Sequence, residues 1–221
     1  MEWGSINELS FKCKLKTGRM KNFLFGIFLL FTGSSFSQSG VEIGLNLSPG
    51  YRVLLSKQVG TGLRSSQSGF GFTAGVPVKY WLNEFTSINT GLNYEFTAFD
   101  TNVKGLLLSS FRINSVSLPL VFNLHLNRTF YLMAGTGVNY NFAARDINIF
   151  GGADLTHQMN KIQPYLALGA NSLIERGDSN LEVGVVAHYQ LLDIWKKSYT
   201  AKENFNSHIA SINFVLQYYF N

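Results

Sequence analysis

The chain is poor in cysteine, proline and charge. It has one cysteine and four prolines among 221 residues, and 14% of its residues are charged, against about 25% in soluble globular domains. A single Cys13 leaves no intramolecular disulfide to consider. With 46% hydrophobic residues and a mean hydropathy of +0.07, the composition also excludes ordinary disorder, which needs few apolar groups and high net charge.

Long hydrophobic runs are also lacking, and the longest one lies near the N-terminus. Phe23–Phe31 follows Lys21 and precedes the small-x-small triplet Ser35–Ser37. This run is well short of the roughly 20 residues of a membrane-spanning helix, and the order of basic, apolar and small residues is that of a secretory signal. We therefore predict a signal peptide over residues 20–37.

Residues 1–19 precede a complete signal, and we interpret them as a start-site extension with Met20 as the true start; the alternative is a long N-terminal region of the signal that begins at Met1. Five of the 18 basic and two of the 13 acidic residues lie before Gln38, so the net charge falls from +5 to +2 once the signal is removed. That balance gives no support to nucleic-acid binding. The remaining residues, 38–221, are expected to form one domain.

Alternation of apolar and polar residues at period two recurs along that domain and is typical of β-strands. Such segments are about 12 to 16 residues long, and 9 to 11 residues are enough to cross a membrane at a tilt. Eight of them begin at Val41, Phe70, Phe85, Ile113, Thr129, Ile162, Asn180 and Ile209.

The alternation separates an apolar face from a polar face that also takes the glycines. Small residues are needed where side chains must fill a narrow barrel lumen, and a soluble sandwich has no reason to confine glycine to its solvent face. The glycines on the polar parity are Gly44, Gly71, Gly75, Gly91, Gly135, Gly137, Gly169 and Gly184.

Connection lengths alternate between long and short. The odd-numbered connections have about 16, 13, 17 and 16 residues, and the even-numbered ones are Asn83–Glu84, Asn127–Arg128 and Glu175–Ser179. Outer-membrane barrels have this pattern of long outside loops and short periplasmic turns. We predict an all-β, eight-stranded antiparallel up-and-down transmembrane β-barrel in the bacterial outer membrane with periplasmic termini. The alternative is a secreted soluble β-protein, whose strands also alternate.

Aromatic residues cluster near both ends of the predicted strands, as in the girdles of membrane barrels. The set assigned to the periplasmic side is Tyr80, Trp81, Phe85, Phe130, Tyr131, Tyr218, Tyr219 and Phe220. The set assigned to the outer side is Tyr51, Phe99, Phe142, Tyr189 and Phe205.

Four sequence segments carry a resemblance to a known family. They are Val116–Leu120 (VSLPL), Met133–Gly137 (MAGTG), Leu166–Ala170 (LALGA) and the aromatic terminus Tyr218–Phe220. The chain resembles the small outer-membrane β-barrel family, described as OmpX-like, porin-family or PorT-like, of Bacteroidota-type bacteria. The resemblance implies the fold, the location and contact with barrel-assembly machinery during biogenesis. It also suggests an accessory role in a type IX secretion apparatus.

Five charged residues fall on the polar parity and are expected to face the lumen. Glu42, Lys79 and Glu182 are placed near the periplasmic end, and Arg52 and Glu95 near the outer end. Buried charges must be partnered, so we predict a lumen charge network that stabilises the barrel. A proton or solute relay is the functional alternative.

Apolar residues in the predicted outer loops are candidate partner contacts, because exposed apolar patches often mark interaction sites. The alternative is that strands continue above the membrane and bury them. These residues are Leu106, Leu107, Leu108, Ile147, Ile149 and Phe150. Contact with outer-membrane lipid and surface glycolipid is expected as well.

Two further function classes were weighed. A small-solute channel conflicts with a lumen that side chains fill, since open pores need about 16 strands. A lipid-modifying enzyme would draw on polar residues of the outer loops, but no spacing sets a nucleophile against a base. We therefore predict no enzyme activity, no cofactor and no metal. The residues considered were His157, His208, Ser207, Ser211, Asp146, Asp154 and Asp193.

Overall fold

Nine antiparallel strands make up the part of the chain that the computed structural model describes, residues 40–58, 64–103, 106–148, 151–176, 179–196 and 205–220. The predicted start-site extension and signal peptide lie outside the described residues. The strands are β1 (Val41–Gln58), β2 (Arg64–Asn83), β3 (Thr86–Val103), β4 (Leu106–His125), β5 (Phe130–Asn148), β6 (Gly151–Asp154), β7 (Ile162–Arg176), β8 (Ser179–Gln190) and β9 (Phe205–Phe220).

Eight of these strands close into a ring. From β1 to β5 and from β7 to β9, each strand pairs with the next one along the chain, and β5 pairs with β7. The pairing of β1 with β9, where Ile43 lies opposite Phe220, closes the ring. The short β6 pairs with β5 alone and stays outside the ring. The predicted eight-stranded up-and-down barrel is thus confirmed, with one short strand added.

The two ends of the barrel differ. At the end called here the turn end, β2 and β3 are joined by Glu84–Phe85 and β4 and β5 by residues 126–129. Asn83 Oδ1 accepts the Phe85 N–H at 2.9 Å, and Asn127 Oδ1 accepts the Phe130 N–H at 2.7 Å. Such asparagine side chains replace backbone partners in tight turns. β1 begins and β9 ends at this same end.

The outer wall of the barrel is apolar along most of its height. Leu92, Leu118 and Leu168 expose 60%, 57% and 63% of their surface, while the intervening inward residues Ser117 and Asn171 expose 1% each. This is the inverse of a soluble sandwich, in which apolar residues face inward. The described residues contain no helix with the length and apolar character of a membrane span.

Two connections that the sequence predicted as long loops are largely strand. β1 and β2 stay paired as far as Lys57 and Arg64, and β3 and β4 as far as Val103 and Leu106. For β3 and β4 this is the alternative stated above, in which strands continue beyond the membrane. A hairpin ladder satisfies the backbone without a buried apolar face, so the strands can extend here.

Four of the aromatic residues assigned to the girdles point to the interior instead, and one of them is Trp81, whose indole N–H donates to Glu42 at the lumen mouth. Tyr131 and Tyr219 have no exposed surface and Phe99 exposes 1%. They lie on the inward parity of their strands, and parity decides the face of a side chain even at a strand end. The aromatic residues that remain on the wall are Tyr80, Phe85, Phe130, Tyr218 and Phe220 near the turn end and Tyr51, Phe142 and Tyr189 near the other end.

Two prolines within strands are matched by glycines on the neighbouring strand. Pro77 lies opposite Gly91, and Pro119 lies opposite Gly137. Gly91 has a φ of 148°, and a Cβ there would lie 2.8 Å from Pro77 Cα. A Cβ on Gly137 would collide with the ring of Tyr165. Glycine therefore allows both the proline and a large inward ring in this narrow barrel.

Candidate functional site: a filled lumen under an apolar cap

Polar side chains fill the inside of the barrel. Most are almost fully buried, and the inward face includes Lys79, Asn89, Asn93, Glu95, Asn123, Asn139, Gln163, Asn171, Glu182 and Asn213. Polar groups withdrawn from water need hydrogen-bond partners. The lumen holds one charged cluster near each end. Amides, hydroxyls and a buried apolar cluster that includes Val121, Met133, Val186 and Val215 lie between them.

The turn-end cluster is built around an ion pair between Lys79 and Glu182, both fully buried. The second oxygen of Glu182 accepts the Tyr131 hydroxyl at 2.6 Å, and the Asn171 amide donates to that hydroxyl at 2.9 Å. The Lys79 ammonium also lies 4.6 Å from the ring centroid of Tyr219. A buried ion pair requires such additional bonds to offset the loss of water.

Glu42 lies beside this pair at the mouth of the turn end. Its Oε1 accepts the Trp81 indole N–H at 2.8 Å and the Asn180 amide at 3.2 Å. Together with Phe85 and Arg128 these residues line an open hollow at the mouth. Glu42 thus sits close to Lys79 but makes its hydrogen bonds with neutral donors.

The second charged cluster lies nearer the opposite end. Arg52 and Glu95 line the same small cavity, and within the described residues they form no ion pair within 4 Å. The Asn139 amide donates to Glu95 at 2.9 Å, and Arg52 contacts the Thr73 hydroxyl at 3.4 Å. Of the five predicted lumen charges, the structure therefore brings Lys79 and Glu182 into direct contact and leaves the other three on neutral partners.

The space left between the two clusters is small. A cavity of about 60 Å³ is bordered by polar residues such as Asn93, Glu95 and Asn213 and by apolar ones such as Val121 and Met133, and a cavity of about 20 Å³ lies beside Arg52. A water needs roughly 10 to 15 Å³ by this measure, so these cavities fit a few water molecules.

Above the polar lumen lies a cluster called here the apolar cap. Its strand members are Leu54, Phe99, Phe111, Ile113, Ala144 and Ile209, and its other members are Leu155, Met159, Ile194 and Trp195 from the connections between β6 and β7 and between β8 and β9. Met159 exposes 1% and Ile194 none of its surface. The end of the barrel that carries this cluster is called the cap end.

Backbone and side-chain hydrogen bonds hold the two capping segments to each other and to the barrel rim. The Asn160 amide donates to the carbonyls of Asp193 and Trp195 at 2.8 and 3.0 Å. The Asp193 carboxylate accepts the N–H groups of Trp195 and Ser207, each at 3.1 Å. Ile194 also donates its N–H to the Ser207 carbonyl at 2.9 Å. The cap is therefore a folded part of the barrel.

Sequence reasoning missed the cap, although its signal is present. Leu54, Phe99, Phe111, Ile113 and Ile209 occupy the inward parity of their strands, where polar residues are the rule closer to the turn end. Apolar residues that change to the inward parity near one end indicate a second core there.

The six predicted partner-contact residues are placed only in part. Leu106, Leu107 and Leu108 begin β4, Ile147 is 40% exposed on β5, and Ile149 and Phe150 lie outside the described residues.

The polar residues weighed for catalysis lie on different faces. Ser207 shares a hydrogen bond with Ser56 at 2.8 Å, and Ser211 accepts the Asn213 amide at 3.2 Å. His208 stacks on Tyr189 on the outer wall, with ring centroids 5.9 Å apart. The Asp193 carboxylate accepts backbone N–H groups in the cap. In the described part of the chain, these residues form no nucleophile and base pair, and no group of three or more metal-binding side chains is found there.

Comparison with known protein families agrees with a membrane barrel. Residues 35–194 match the outer membrane protein beta-barrel domain family, and the chain belongs to that family. It is thus an outer-membrane β-barrel protein. No curated protein matches it.

Three solved structures are similar at low identity. Ail, the attachment invasion locus protein of Yersinia pestis, is 15% identical, covering 83% of this chain and 100% of its own, with a TM-score of 0.41. Neisserial surface protein A is 10% identical, covering 80% and 96%, with a TM-score of 0.46. OprG from Pseudomonas aeruginosa is 12% identical, covering 80% and 96%, with a TM-score of 0.37.

Proposed function

We propose that this protein is a non-enzymatic, non-conducting surface barrel whose cap end binds a partner protein or a surface glycan outside the cell. The observation that carries the proposal is the apolar cap over a side-chain-filled lumen. A channel would not need an apolar core above its polar interior. This core also gives the cap end a fixed shape. The turn end, with both termini of the barrel, then faces the periplasm.

Strand length supports a platform outside the membrane. β2 and β4 each have 20 residues, or about 66 Å at roughly 3.3 Å per residue. A tilt of about 40° leaves a height of about 50 Å, twice the apolar band of about 25 Å in outer-membrane barrels. About half of each strand therefore lies beyond the hydrocarbon, on the side where exposed polar residues such as Ser65 and Ser66 are found.

Site-specific photocrosslinking in living cells tests the partner. A photoreactive phenylalanine analogue is placed at Ser66 or His157, both exposed at the cap end, and at Phe85 in a turn as the matched control. We expect reproducible adducts from the first two positions and none from Phe85. Recovery of type IX secretion subunits would identify the accessory role that the family resemblance suggests, and recovery of glycan would identify a surface-binding role. Adducts from Phe85 alone would contradict the proposal.

Bilayer recordings test the channel alternative. The purified full chain is expected to leave a planar bilayer at its protein-free conductance, because the lumen clusters and the cap fill the path. Stable unitary conductance would contradict the non-conducting part of the proposal and favour a small-solute channel. Turnover of phospholipid or lipid A that is lost on His208→Ala would instead favour the enzyme.

A further inference from the structure

Two arginines lie side by side on the outer wall near the cap end. Arg112 of β4 is the direct cross-strand partner of Arg145 of β5, and both side chains are exposed. Their neighbours Ile113 and Ala144 point inward into the cap, so the two arginines point outward. Directly opposed residues have Cβ atoms about 4.5 to 5.5 Å apart, which places two positive charges within reach of one ligand.

Carboxylates stand near the pair without contacting it: among the described residues, Asp154 lies opposite Arg145, and Asp100 lies opposite Ser110, two residues from Arg112. No carboxylate there lies within 4 Å of either guanidinium, and the Arg112 Nε donates only a long 3.4 Å bond to the Ser110 hydroxyl. Like charges directly opposite each other destabilise a sheet. Two adjacent positive charges that no described carboxylate contacts therefore favour an external anion.

Asp154 is the nearest acidic cross-strand neighbour and does not cancel the pair. It lies opposite Arg145 on β6, and its carboxylate accepts the Thr156 N–H at 2.9 Å. Hydrogen bonds from Thr156 are the main reason that the pKa of Asp154 is below its usual value, and the charges of His157 and Arg145 contribute less. The Asp154 carboxylate is thus engaged mainly by Thr156, within its own turn.

The height of the pair is set by the aromatic residues next to it. Toward the turn end, Phe142 and Tyr140 of β5 expose 45% and 46% of their surface, and the rings of Phe142 and Tyr94 lie 6.3 Å apart. The Tyr94 hydroxyl donates to Asn114, two residues from Arg112. Exposed aromatics of this kind mark the membrane interface, so the arginines lie at the level of lipid headgroups.

We propose that Arg112 and Arg145 together bind the phosphate group of an outer-leaflet glycolipid, whose acyl chains lie on the apolar wall below. The guanidinium fork matches phosphate oxygens two at a time, and two adjacent forks suit a divalent anion better than a carboxylate. The proposal rests on the proposed orientation of the barrel, cap end outward, but not on the partner-binding role.

Binding of purified lipid A to the full chain in zwitterionic detergent tests the pair. The probes are phosphorylated lipid A, dephosphorylated lipid A and inorganic phosphate, and the variants are R112Q, R145Q and the double variant. R128Q removes an exposed arginine from a turn at the other end and is the matched control. Each variant is first shown to retain the heat-dependent gel shift of a folded barrel.

We expect phosphorylated lipid A to bind the native chain more tightly than the other two probes. Removing one arginine should weaken that binding about tenfold or more, the loss typical of a hydrogen bond to a charged group, and R128Q should leave it unchanged. Asp154→Asn should tighten binding, because it removes the competing charge beside Arg145; no misfolded protein would mimic this gain.

Three outcomes would overturn the proposal. Equal affinity for dephosphorylated lipid A would show that phosphate is not recognised, and equal affinity for inorganic phosphate would show a free-anion site. An R128Q loss as large as that of R112Q would show non-specific attraction. If Arg112→Cys is labelled by an impermeant maleimide only from the periplasm, the orientation fails and the glycolipid source with it, while phosphate recognition in detergent would still stand.

Discussion

Lys79 shows how an ammonium is accommodated in a narrow barrel. It has no exposed surface, one carboxylate partner in Glu182 and three aromatic rings within 5.4 Å, those of Trp81, Tyr131 and Tyr219. Each cation–π contact with a desolvated charge adds about 1 to 2 kcal/mol. The inward positions of Lys79, Tyr131 and Tyr219 follow from strand parity, but the contacts among them do not, because alternation does not say which inward side chains meet.

Replacing Glu182 by Gln is expected to lower the free energy of unfolding by about 3 to 5 kcal/mol, the usual cost of leaving one buried charge without its partner. The measurement is the temperature at which the folded band disappears on a heat-shift gel. Glu84→Gln, in an exposed turn, is the matched control and should behave as the native chain.

The Lys79→Met and Glu182→Gln double variant should lose less stability than the two single variants added together, since neither charge is then left alone. An unchanged midpoint for Glu182→Gln would show that the turn-end cluster does not stabilise the barrel.

Single strands show which parts of the fold a period-two pattern can and cannot predict. Along β4, Ser117 and Asn123 face inward and Leu118 and Leu120 outward, as the alternation predicts. Farther along the same strand the alternation continues, but Ile113 is apolar and faces inward. A pattern of alternation specifies two faces and not which of them is buried, so the only signal of the second core at the cap end is the apolar residues on the inward parity, which were not used.

Asp193 is the residue on which the connection after β8 depends, because its carboxylate accepts two backbone N–H groups. Asp193→Ala should raise the local opening of that connection about tenfold, from the loss of bonds worth about 1 to 3 kcal/mol. Limited trypsin digestion of the purified barrel should then cut faster after Lys196 or Lys197.

Asp193→Asn keeps one acceptor oxygen and should show a smaller increase. Cleavage after Arg128, at the other end of the molecule, is the control within the same digest. Equal rates for the native chain and Asp193→Ala would mean that the cap is held by its apolar contacts alone.

As a whole, the molecule is apolar on the outside near the turn end and apolar on the inside near the cap end. The first half of this arrangement suits lipid, and the second half suits water. The change between them occurs near Phe142 on β5 and Asn114 on β4, where the register shifts by one residue. We expect the membrane border at this change.

Cysteine labelling of intact cells is expected to reproduce that border. In a Cys13→Ser background, Ser66→Cys should react with an impermeant maleimide, and Leu118→Cys, 57% exposed but in the apolar band, should not. Phe85→Cys should react only after the outer membrane is opened. Labelling of Phe85→Cys in intact cells would show that the turn end, and not the cap end, faces outward.

The pairing of β1 with β9 joins the beginning of the domain to its end, with Ile43 opposite Phe220. Contacts so distant in sequence make folding slow, because the entropy of closing the loop is lost before any contact is gained. Until β9 is in place, β1 and β8 each keep an unpaired edge that favours aggregation. The time this protein spends with unpaired strand edges is therefore governed by β9, the sixteen residues Phe205–Phe220, and a chain shortened there would keep those edges open to aggregation.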